Sequence, residues 1–207
     1  MKYEIANTAD SYEAVHTGVR DAELAGERAV RVVKADRLDE FDINTYALAR
    51  GVDFHNGVIE LKVCGRLLPD APDYARGFVG IVFRASENTA EFESYYVRPT
   101  NGRTCTDPVR RAHGCQYFSY PGYTFAYFRE FGITAYEAPL DIDVDEWIAI
   151  KAVVEDERAA FYVNDMDAPA LEVADLKHGP AARGGVGVYV DTGTEGFVKD
   201  LAVTCWD

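Results

Sequence analysis

Three segments of this chain alternate apolar and polar residues and carry most of the side chains that could do chemistry. Successive side chains of a β-strand point to opposite faces, so the polar residues of one strand share a face. The segments 58–64, 78–84 and 91–98 are predicted strands on this criterion, and a fourth begins at Trp147. Together they predict one concave sheet face that carries Glu60, Lys62, Arg84, Tyr96, Arg98 and Lys151.

This mixture of side chains is typical of a sugar site. Aromatic rings pack against the apolar side of a sugar ring, while carboxylate, guanidinium and amide groups fix its hydroxyls. The same residues also suit an ordinary solvated sheet face, on which cross-strand Glu–Arg and Glu–Lys pairs form. The sequence leaves both interpretations open.

Arginines gather between residues 84 and 111, although the net charge of the chain is −14. Guanidinium groups suit carboxylates, phosphates and vicinal hydroxyls, which favours a polar, sugar-like ligand, either neutral or anionic. Ion pairing with nearby carboxylates is the alternative. The candidate ligand-binding residues are Arg84, Tyr96, Arg98, Asn101, Arg110, Arg111, Gln116, Tyr117 and Lys151.

Candidate catalytic residues are few. A general acid/base pair would draw on Glu60 and His113, with Glu93 or a tyrosine as the alternative member. Only Glu60 lies securely on the candidate face, whereas glycoside hydrolases need two carboxyl groups about 5–9.5 Å apart. The sequence contains no Gly-x-Ser-x-Gly, P-loop or His-Glu-x-x-His motif. Whether the chain is an enzyme stays open.

No cofactor is predicted, with one reservation for a structural calcium ion. Asp141, Asp143 and Asp145 supply the hard oxygen ligands that calcium prefers, but without the EF-hand pattern. Cys105, His113 and Cys115 match no zinc-ligand spacing, so no metal residues are assigned.

Short β-rich segments separated by turn signals predict an all-β fold, an antiparallel sandwich or barrel. A length of 207 residues predicts one domain, 1–207. Residues 22–25 have helical propensity between two glycines, and no segment sustains a helical period. Further strands are predicted near 12–16, 29–34, 45–49, 116–120, 123–128, 159–165, 184–190 and 196–203.

The charge and the chain termini limit the partners. A net charge of −14 argues against nucleic acid and anionic membranes as partners. Residues 1–8 lack the apolar core of a signal peptide, which predicts a cytoplasmic protein with reduced cysteines; a leader removed from this sequence would leave the same pattern. A monomer or a homodimer paired through strand edges is expected.

Five segments, in order, resemble concanavalin A-like lectin/glucanase domains. Residues 54–60, Phe-His-Asn-Gly-Val-Ile-Glu, resemble the F-x-N-G-x-I-E strand, and 80–84 resemble the G-I-x-F-R strand. Residues 147–164 are similar to the W-x-x-I-K hairpin of laminin-G-like jelly rolls, and 185–188 and 197–203 to the two closing strands, with Asp200 where Asn is usual. The resemblance covers about 45–204 and implies a jelly-roll β-sandwich of two curved antiparallel sheets, closest to a bacterial glycoside-hydrolase-related group.

The resemblance implies a function only in outline. Members of that superfamily often hold sugar on the concave face, and they include lectins, hydrolases, lyases and interaction modules. A carbohydrate-binding, lectin-like domain is therefore expected; a glycoside hydrolase or lyase using the same groove, and an interaction module without a small-molecule site, are the alternatives. Residues 141–146 resemble the E-x-D-x-E nucleophile strand of laminarinase-type glucanases, but aspartate stands at both glutamate positions, which favours a loop.

Overall fold

The structure of the protein is a computed structural model that describes residues 1–35 and 40–206. The first strands are β1 (Lys2–Glu4), β2 (Tyr12–Val15), β3 (Thr17–Leu24), β4 (Glu27–Lys34), β5 (Tyr46–Ala49), β6 (Asn56–Leu67), β7 (Val79–Ala85) and β8 (Phe92–Val97). They are followed by β9 (Cys115–Tyr120), β10 (Glu137–Ala138), β11 (Ile148–Glu155), β12 (Arg158–Val163), β13 (Leu171–Val173), β14 (Gly185–Val190) and β15 (Thr194–Trp206). Two short α-helices, α1 (Pro108–Arg111) and α2 (Phe125–Glu130), flank β9.

The strands form two antiparallel sheets. The eight-stranded sheet has the order β13-β12-β11-β6-β15-β4-β3, with β1 also paired to β15. The seven-stranded sheet has the order β10-β9-β8-β7-β14-β5-β2. The predicted fold class, an all-β jelly-roll sandwich of two antiparallel sheets, is confirmed. No helix in the described ranges has the length and apolar character needed to cross a membrane.

The main core lies between the sheets and follows from the period-2 pattern of the strands. In β11 the buried residues alternate with more exposed ones, so Ile148, Ile150 and Ala152 point inward. Across the sandwich, the Tyr95 ring of the seven-stranded sheet stacks on the Phe161 ring of the eight-stranded sheet, with centroids 4.3 Å apart. Burial of these apolar surfaces is the main force that holds the two sheets together.

A second apolar cluster covers the outer face of the seven-stranded sheet. It contains Tyr46, Val82, Phe92, Tyr96, Phe118 and Tyr189 from the strands and Phe128 from α2. Every residue of β7 and β8 is buried as a result. Gly80 lies between Tyr96 and Tyr189 in the sheet register, and a Cβ there would come within 2.1 Å of the Tyr95 carbonyl oxygen. The glycine lets the Tyr96 and Tyr189 rings stack above it, 5.6 Å apart.

One predicted strand is wrong, and one segment does not follow its local propensity. Residues 123–128 form a loop leading into helix α2, not a strand, although aromatic residues alternate there. The amide of Phe125 donates to the carboxylate of Asp42, so a residue distant in sequence satisfies a donor at the first turn of the helix. Residues 22–25 are not helical because β3 continues to Leu24 and turns at Ala25 and Gly26, both with positive φ, as a two-residue hairpin turn requires.

Candidate functional site

A pocket of about 260 Å³ opens beside the second apolar cluster, on the outer side of the seven-stranded sheet. Its walls come from the segments around 41 and 76, the end of β8, the 98–113 connection and helix α2. We call it the outer-face pocket, and its lining is Phe41, Asp42, Tyr74, Arg76, Phe78, Tyr96, Arg98, Asn101, Val109, Arg110, His113, Phe125, Arg129 and Asp191.

Its floor is a buried hydrogen-bond network built on three neighbouring strands. Tyr96, Gln116 and Glu137 are adjacent in the register of β8, β9 and β10, so their side chains stand in one row. The Tyr96 hydroxyl donates to Gln116 Oε1 at 3.0 Å. Arg98 donates to Glu137 Oε1 at 2.6 Å, to the Tyr96 oxygen at 3.1 Å and to Gln116 Oε1. The guanidinium is thus fixed in place before any ligand arrives.

The Glu137 carboxylate lies against two arginines and a histidine. Its Oε2 lies 2.9 Å from Arg129 Nη2 and 3.1 Å from His113 Nδ1, in addition to the pair with Arg98. Burial lowers the pKa of His113; Glu137 opposes this, whereas the two nearby arginines add to it. His113 is therefore mainly neutral at pH 7. One carboxylate consequently holds two arginines and a neutral imidazole together at the pocket wall.

Two aspartates from separate loops meet at the other wall. Asp191 accepts hydrogen bonds from Lys34 Nζ at 2.8 Å, from the Tyr189 hydroxyl at 2.9 Å and from the backbone amide of Asp42 at 2.8 Å. Burial, and then the charge of Asp191, raise the pKa of Asp42 to about 7. Asp42 can therefore act as either donor or acceptor of a hydrogen bond near neutral pH.

The mouth of the pocket is aromatic and open to water. Phe41 and Tyr74 are 45% and 47% exposed, and their ring centroids lie 6.2 Å apart. The Phe125 ring lies 6.1 Å from that of Phe41 and under the guanidinium of Arg129 at 4.9 Å. Small-molecule sites commonly combine aromatic rings of this kind with polar groups that are held in place.

The structure brings part of the predicted site together. Asn101 donates through Nδ2 to the His113 carbonyl at 2.9 Å and accepts from Arg110 Nε at 3.1 Å, so these residues are held as one unit. The predicted residues that line the pocket or form its floor are Tyr96, Arg98, Asn101, Arg110, His113 and Gln116. Arg111, one residue beyond Arg110, is exposed and outside the lining.

The prediction of a single polar face is wrong for Glu60, Lys62 and Lys151. These residues lie on the eight-stranded sheet, where Glu60 pairs with Lys151 in register and all three are exposed. Alternation reports which face of a strand a residue occupies, but not which sheet the strand joins. Glu60 is consequently on the opposite sheet from the pocket, and its predicted pairing with His113 is wrong.

Arg84 is buried, which contradicts its interpretation as a surface ligand-binding residue. It donates to the carbonyls of His55 at 3.0 Å and Asp156 at 2.8 Å, and to Asn56 Oδ1 at 3.1 Å. These acceptors lie at the ends of strands of the eight-stranded sheet, and Arg84 belongs to β7 of the other sheet. Arg84 therefore connects the two sheets.

Tyr117 points into the main core, away from Gln116 and the pocket. Its hydroxyl donates to Glu93 Oε2 at 2.6 Å and accepts from the backbone amide of Lys177 at 3.0 Å. Glu93 also accepts from the amide of His178 at 3.0 Å. Tyr117 and Glu93 thus hold the 175–178 loop through its backbone amides. The prediction that Tyr117 binds a ligand is therefore wrong, and so is the prediction of Glu93 as an alternative catalytic residue.

The three aspartates before Trp147 lie in a loop, as expected, and have separate partners. Asp143 accepts from Thr104, Asp145 pairs with Arg66, and Asp141 lies 3.7 Å from Arg103. In the ranges 1–35 and 40–206, no three His, Cys, Asp or Glu side chains are grouped to hold a metal ion. The geometry therefore gives the calcium hypothesis no ligand set.

Sequence reasoning missed Asp42, Asp191, Glu137, Arg76 and Arg129. Two of them carried a usable signal. Asp42 precedes β5 and Asp191 follows β14, and antiparallel neighbours bring the start of one strand next to the end of the other. Pairing those two predicted strands would have placed both aspartates at one edge.

Comparison with known proteins found structural relatives only. No protein-family model and no curated protein matches the chain. The carbohydrate-binding module CBM66 from Bacillus subtilis matches with a TM-score of 0.57 and 12% identity, over 93% of this chain and 98% of that one. A Bacillus subtilis protein of unknown function with a galectin-like fold matches with a TM-score of 0.57 and 13% identity, over 98% and 97% of the two chains.

A proposed glycosyl hydrolase from Parabacteroides distasonis is similar too, with a TM-score of 0.55, 10% identity and coverage of 97% of this chain and 91% of that chain. Identities this low show the fold alone. The resemblance seen in the sequence is therefore confirmed for the fold only: the chain is a β-sandwich of two antiparallel sheets, similar in fold to a carbohydrate-binding module and a galectin-like protein.

Proposed function

We propose that this chain is a carbohydrate-binding domain whose site is the outer-face pocket. The observation that carries the proposal is the combination, in one cavity, of exposed aromatic rings and buried polar groups that are already fixed. Similarity in fold to a carbohydrate-binding module and to a galectin-like protein supports it. Sugars have one apolar and several polar surfaces, and this cavity offers both kinds of partner.

The division of roles follows from the geometry. Tyr74 and Phe41 at the mouth would pack on the apolar side of a sugar ring, while Asp42, Arg98 and His113 would meet its hydroxyls. Because Arg98 is already held by Glu137, Tyr96 and Gln116, little side-chain entropy is lost when a ligand binds.

A panel of neutral and acidic monosaccharides and short oligosaccharides, screened by thermal unfolding and then by calorimetry, tests this function. A ligand at 100 times its dissociation constant stabilises the native state by about 2.7 kcal/mol. Tyr74→Ala should weaken binding about tenfold or more. Trp206→Ala is the matched control, because Trp206 is a similarly exposed aromatic residue on the other sheet. Equal affinities for the two variants, or no stabilisation by any sugar, would contradict the proposal.

A second candidate function, glycoside hydrolysis, is favoured by Asp42. A carboxyl group in a sugar-sized pocket with a pKa of about 7 is suited to protonate a leaving oxygen. Asp191, the neighbouring carboxylate, is held by Lys34 and Tyr189 and would stabilise positive charge. Release of aryl alcohol from a set of aryl glycosides measures this activity. Asp42→Asn should abolish it and leave sugar binding in place, whereas equal turnover by both forms would exclude the role of Asp42.

A further inference from the structure

Two arginines at the outer-face pocket lack a carboxylate partner. Among the described residues, no Asp or Glu oxygen lies within 4.0 Å of the guanidinium of Arg76 or Arg110. In the part of the chain that the structure describes, the other arginines without an ion pair are exposed, namely Arg20, Arg28, Arg111 and Arg158. Arg84 is the remaining one, and three oxygen acceptors within 3.1 Å satisfy it. Of the arginines in 1–35 and 40–206, Arg76 and Arg110 alone combine partial burial, no ion pair and a place in the wall of this pocket.

Neutral oxygen atoms hold both side chains in place and leave nitrogen atoms free. Arg76 Nη1 donates to the carbonyls of Asp73 at 2.6 Å and Ala75 at 2.7 Å. Arg110 donates through Nε to Asn101 Oδ1 at 3.1 Å and through Nη2 to Thr100 at 3.1–3.2 Å. Nε and Nη2 of Arg76 and Nη1 of Arg110 make no hydrogen bond with any described residue. A ligand can reach oriented, unused donors on both groups.

The two guanidinium groups also repel each other. Burial lowers the pKa of Arg76, and the charges of Arg110 and Arg98 lower it further. Asp107 opposes this effect on Arg76 in part, without forming an ion pair with it. Like charges placed together raise the free energy of the unliganded protein, and a bound anion would relieve their repulsion.

The charges elsewhere in the pocket balance only when Asp42 is ionised, since its carboxylate then offsets one positive charge left by the ion pairs. Arg98 and Arg129 share Glu137, and Asp191 pairs with Lys34 at 2.8 Å. Arg76 and Arg110 therefore add a net positive charge to a pocket of a protein with net charge −14. The chain has 35 acidic residues, yet none of those that the structure describes forms an ion pair with Arg76 or Arg110.

We infer that the outer-face pocket binds a sugar that carries an acidic group, with the acidic group held between Arg76 and Arg110. This inference rests on the proposed carbohydrate-binding function and specifies its ligand class. Guanidinium groups bind carboxylate and phosphate oxygens with paired, charge-assisted hydrogen bonds. A cavity of about 260 Å³ is near the lower end of the usual range, about 300–1,000 Å³, which suits one sugar unit at the end of a chain.

Calorimetry on the full chain tests the inference with D-glucuronate and D-galacturonate, glucose 6-phosphate, and neutral glucose and galactose. The acidic sugars should bind about tenfold or more tighter than their neutral counterparts. Glucuronate and glucose 6-phosphate distinguish a carboxylate ligand from a phosphate ligand. Sodium sulfate and inorganic phosphate show how the site responds to an anion without a sugar.

Variants locate the acidic group. Arg76→Gln and Arg110→Gln should each weaken binding of the acidic sugar about tenfold or more, and should weaken binding of the neutral sugar by a much smaller factor. Arg111→Gln is the matched control, because Arg111 follows Arg110 in α1, has no ion pair and lies outside the pocket. Its affinity should stay within about twofold of the unmodified chain. Unfolding midpoints of all three variants confirm that they fold.

The possible results distinguish failure of the acidic-sugar inference from failure of the proposed carbohydrate-binding function. Equal affinity for acidic and neutral sugars would overturn the inference and leave carbohydrate binding in place. Acidic sugar binding that survives both Arg76→Gln and Arg110→Gln would also overturn it. Binding of sulfate or phosphate but of no sugar would overturn the proposed function, and the inference with it.

Discussion

Two arginines that the sequence predicts to be exposed ligand-binding residues are buried in the structure. Arg98 and Arg84 are both buried, at 3% and 2% exposure, yet only Arg98 lies at the pocket. Burying a guanidinium is costly unless every donor is satisfied. The side chains of Glu137 and Gln116 accept hydrogen bonds from Arg98, whereas backbone carbonyls accept them from Arg84. Arg84 lies near the end of β7 and Arg98 directly follows β8, yet the first stabilises the fold and the second lies at the site.

We expect Asp42 to make stability depend on pH. Its pKa is about 7 in the folded protein and near the ordinary 3.8 when unfolded, so the native state holds one more proton between about pH 4 and 7. The free energy of unfolding therefore falls as the pH rises through that interval, by up to about 1.4 kcal/mol per pH unit from this group. Asp42→Asn should remove this dependence, since asparagine keeps an acceptor for the Phe125 amide and tolerates the positive φ.

Urea unfolding of both proteins from pH 4 to pH 8 measures the effect. Groups that titrate in both proteins cancel in the difference, and the groups that set the pKa of Asp42, namely Asp191, Arg98 and Tyr96, are unchanged in the variant. The variant should gain stability relative to the parent as the pH rises. Parallel curves would show that Asp42 is ionised throughout.

At the scale of elements, helix α2 connects the pocket to the second apolar cluster. Phe128 on its inner side is buried and packs on Tyr136, with ring centroids 4.8 Å apart. Phe125, three residues earlier, lines the pocket. Movement of this helix would therefore disturb the cover of the sheet and the wall of the site together.

Phe128→Ala should destabilise the fold by about 3 kcal/mol and also weaken sugar binding, because α2 loses its anchor. Phe131→Ala is the control: Phe131 lies at the end of the same helix and is 61% exposed, so its loss should cost about 0.5 kcal/mol or less. Chemical unfolding and calorimetry on both variants supply the two readouts. Similar losses in the two variants would mean that the helix is not anchored through Phe128.

Most strands could be predicted from the sequence because alternation and turn residues are local signals. The predicted segments 58–64, 91–98 and 147–154 coincide with β6, β8 and β11. Sheet membership and helix α2 depend on contacts distant in sequence, such as Asp42 with the Phe125 amide, which local patterns do not report. For the same reason the prediction included Arg98 and Gln116 but not Glu137, whose short strand β10 has only two residues.

For the whole molecule, charge is the dominant surface property. A net charge of −14 produces self-repulsion that favours the expanded, unfolded chain, and dissolved salt screens it. Raising sodium chloride from about 20 to 300 mM at pH 7 should therefore raise the thermal midpoint, by about 2–4 °C for each 1 kcal/mol gained. A scan at equal osmolarity in sucrose controls for solute exclusion. A midpoint that falls with salt would show that attractive surface pairs outweigh the repulsion.

Strands β7 and β8 lie between two apolar layers, the main core and the cluster beneath α2. Amide protons exchange with solvent only when such cover opens, so these two strands should form the slowest-exchanging part of the protein. Helix α2 and Phe78 contribute both to the outer layer and to the wall of the outer-face pocket. A ligand that stabilises α2 in its packed position would therefore slow deuterium uptake in β8, so exchange inside the sheet would report occupancy of the pocket at its surface.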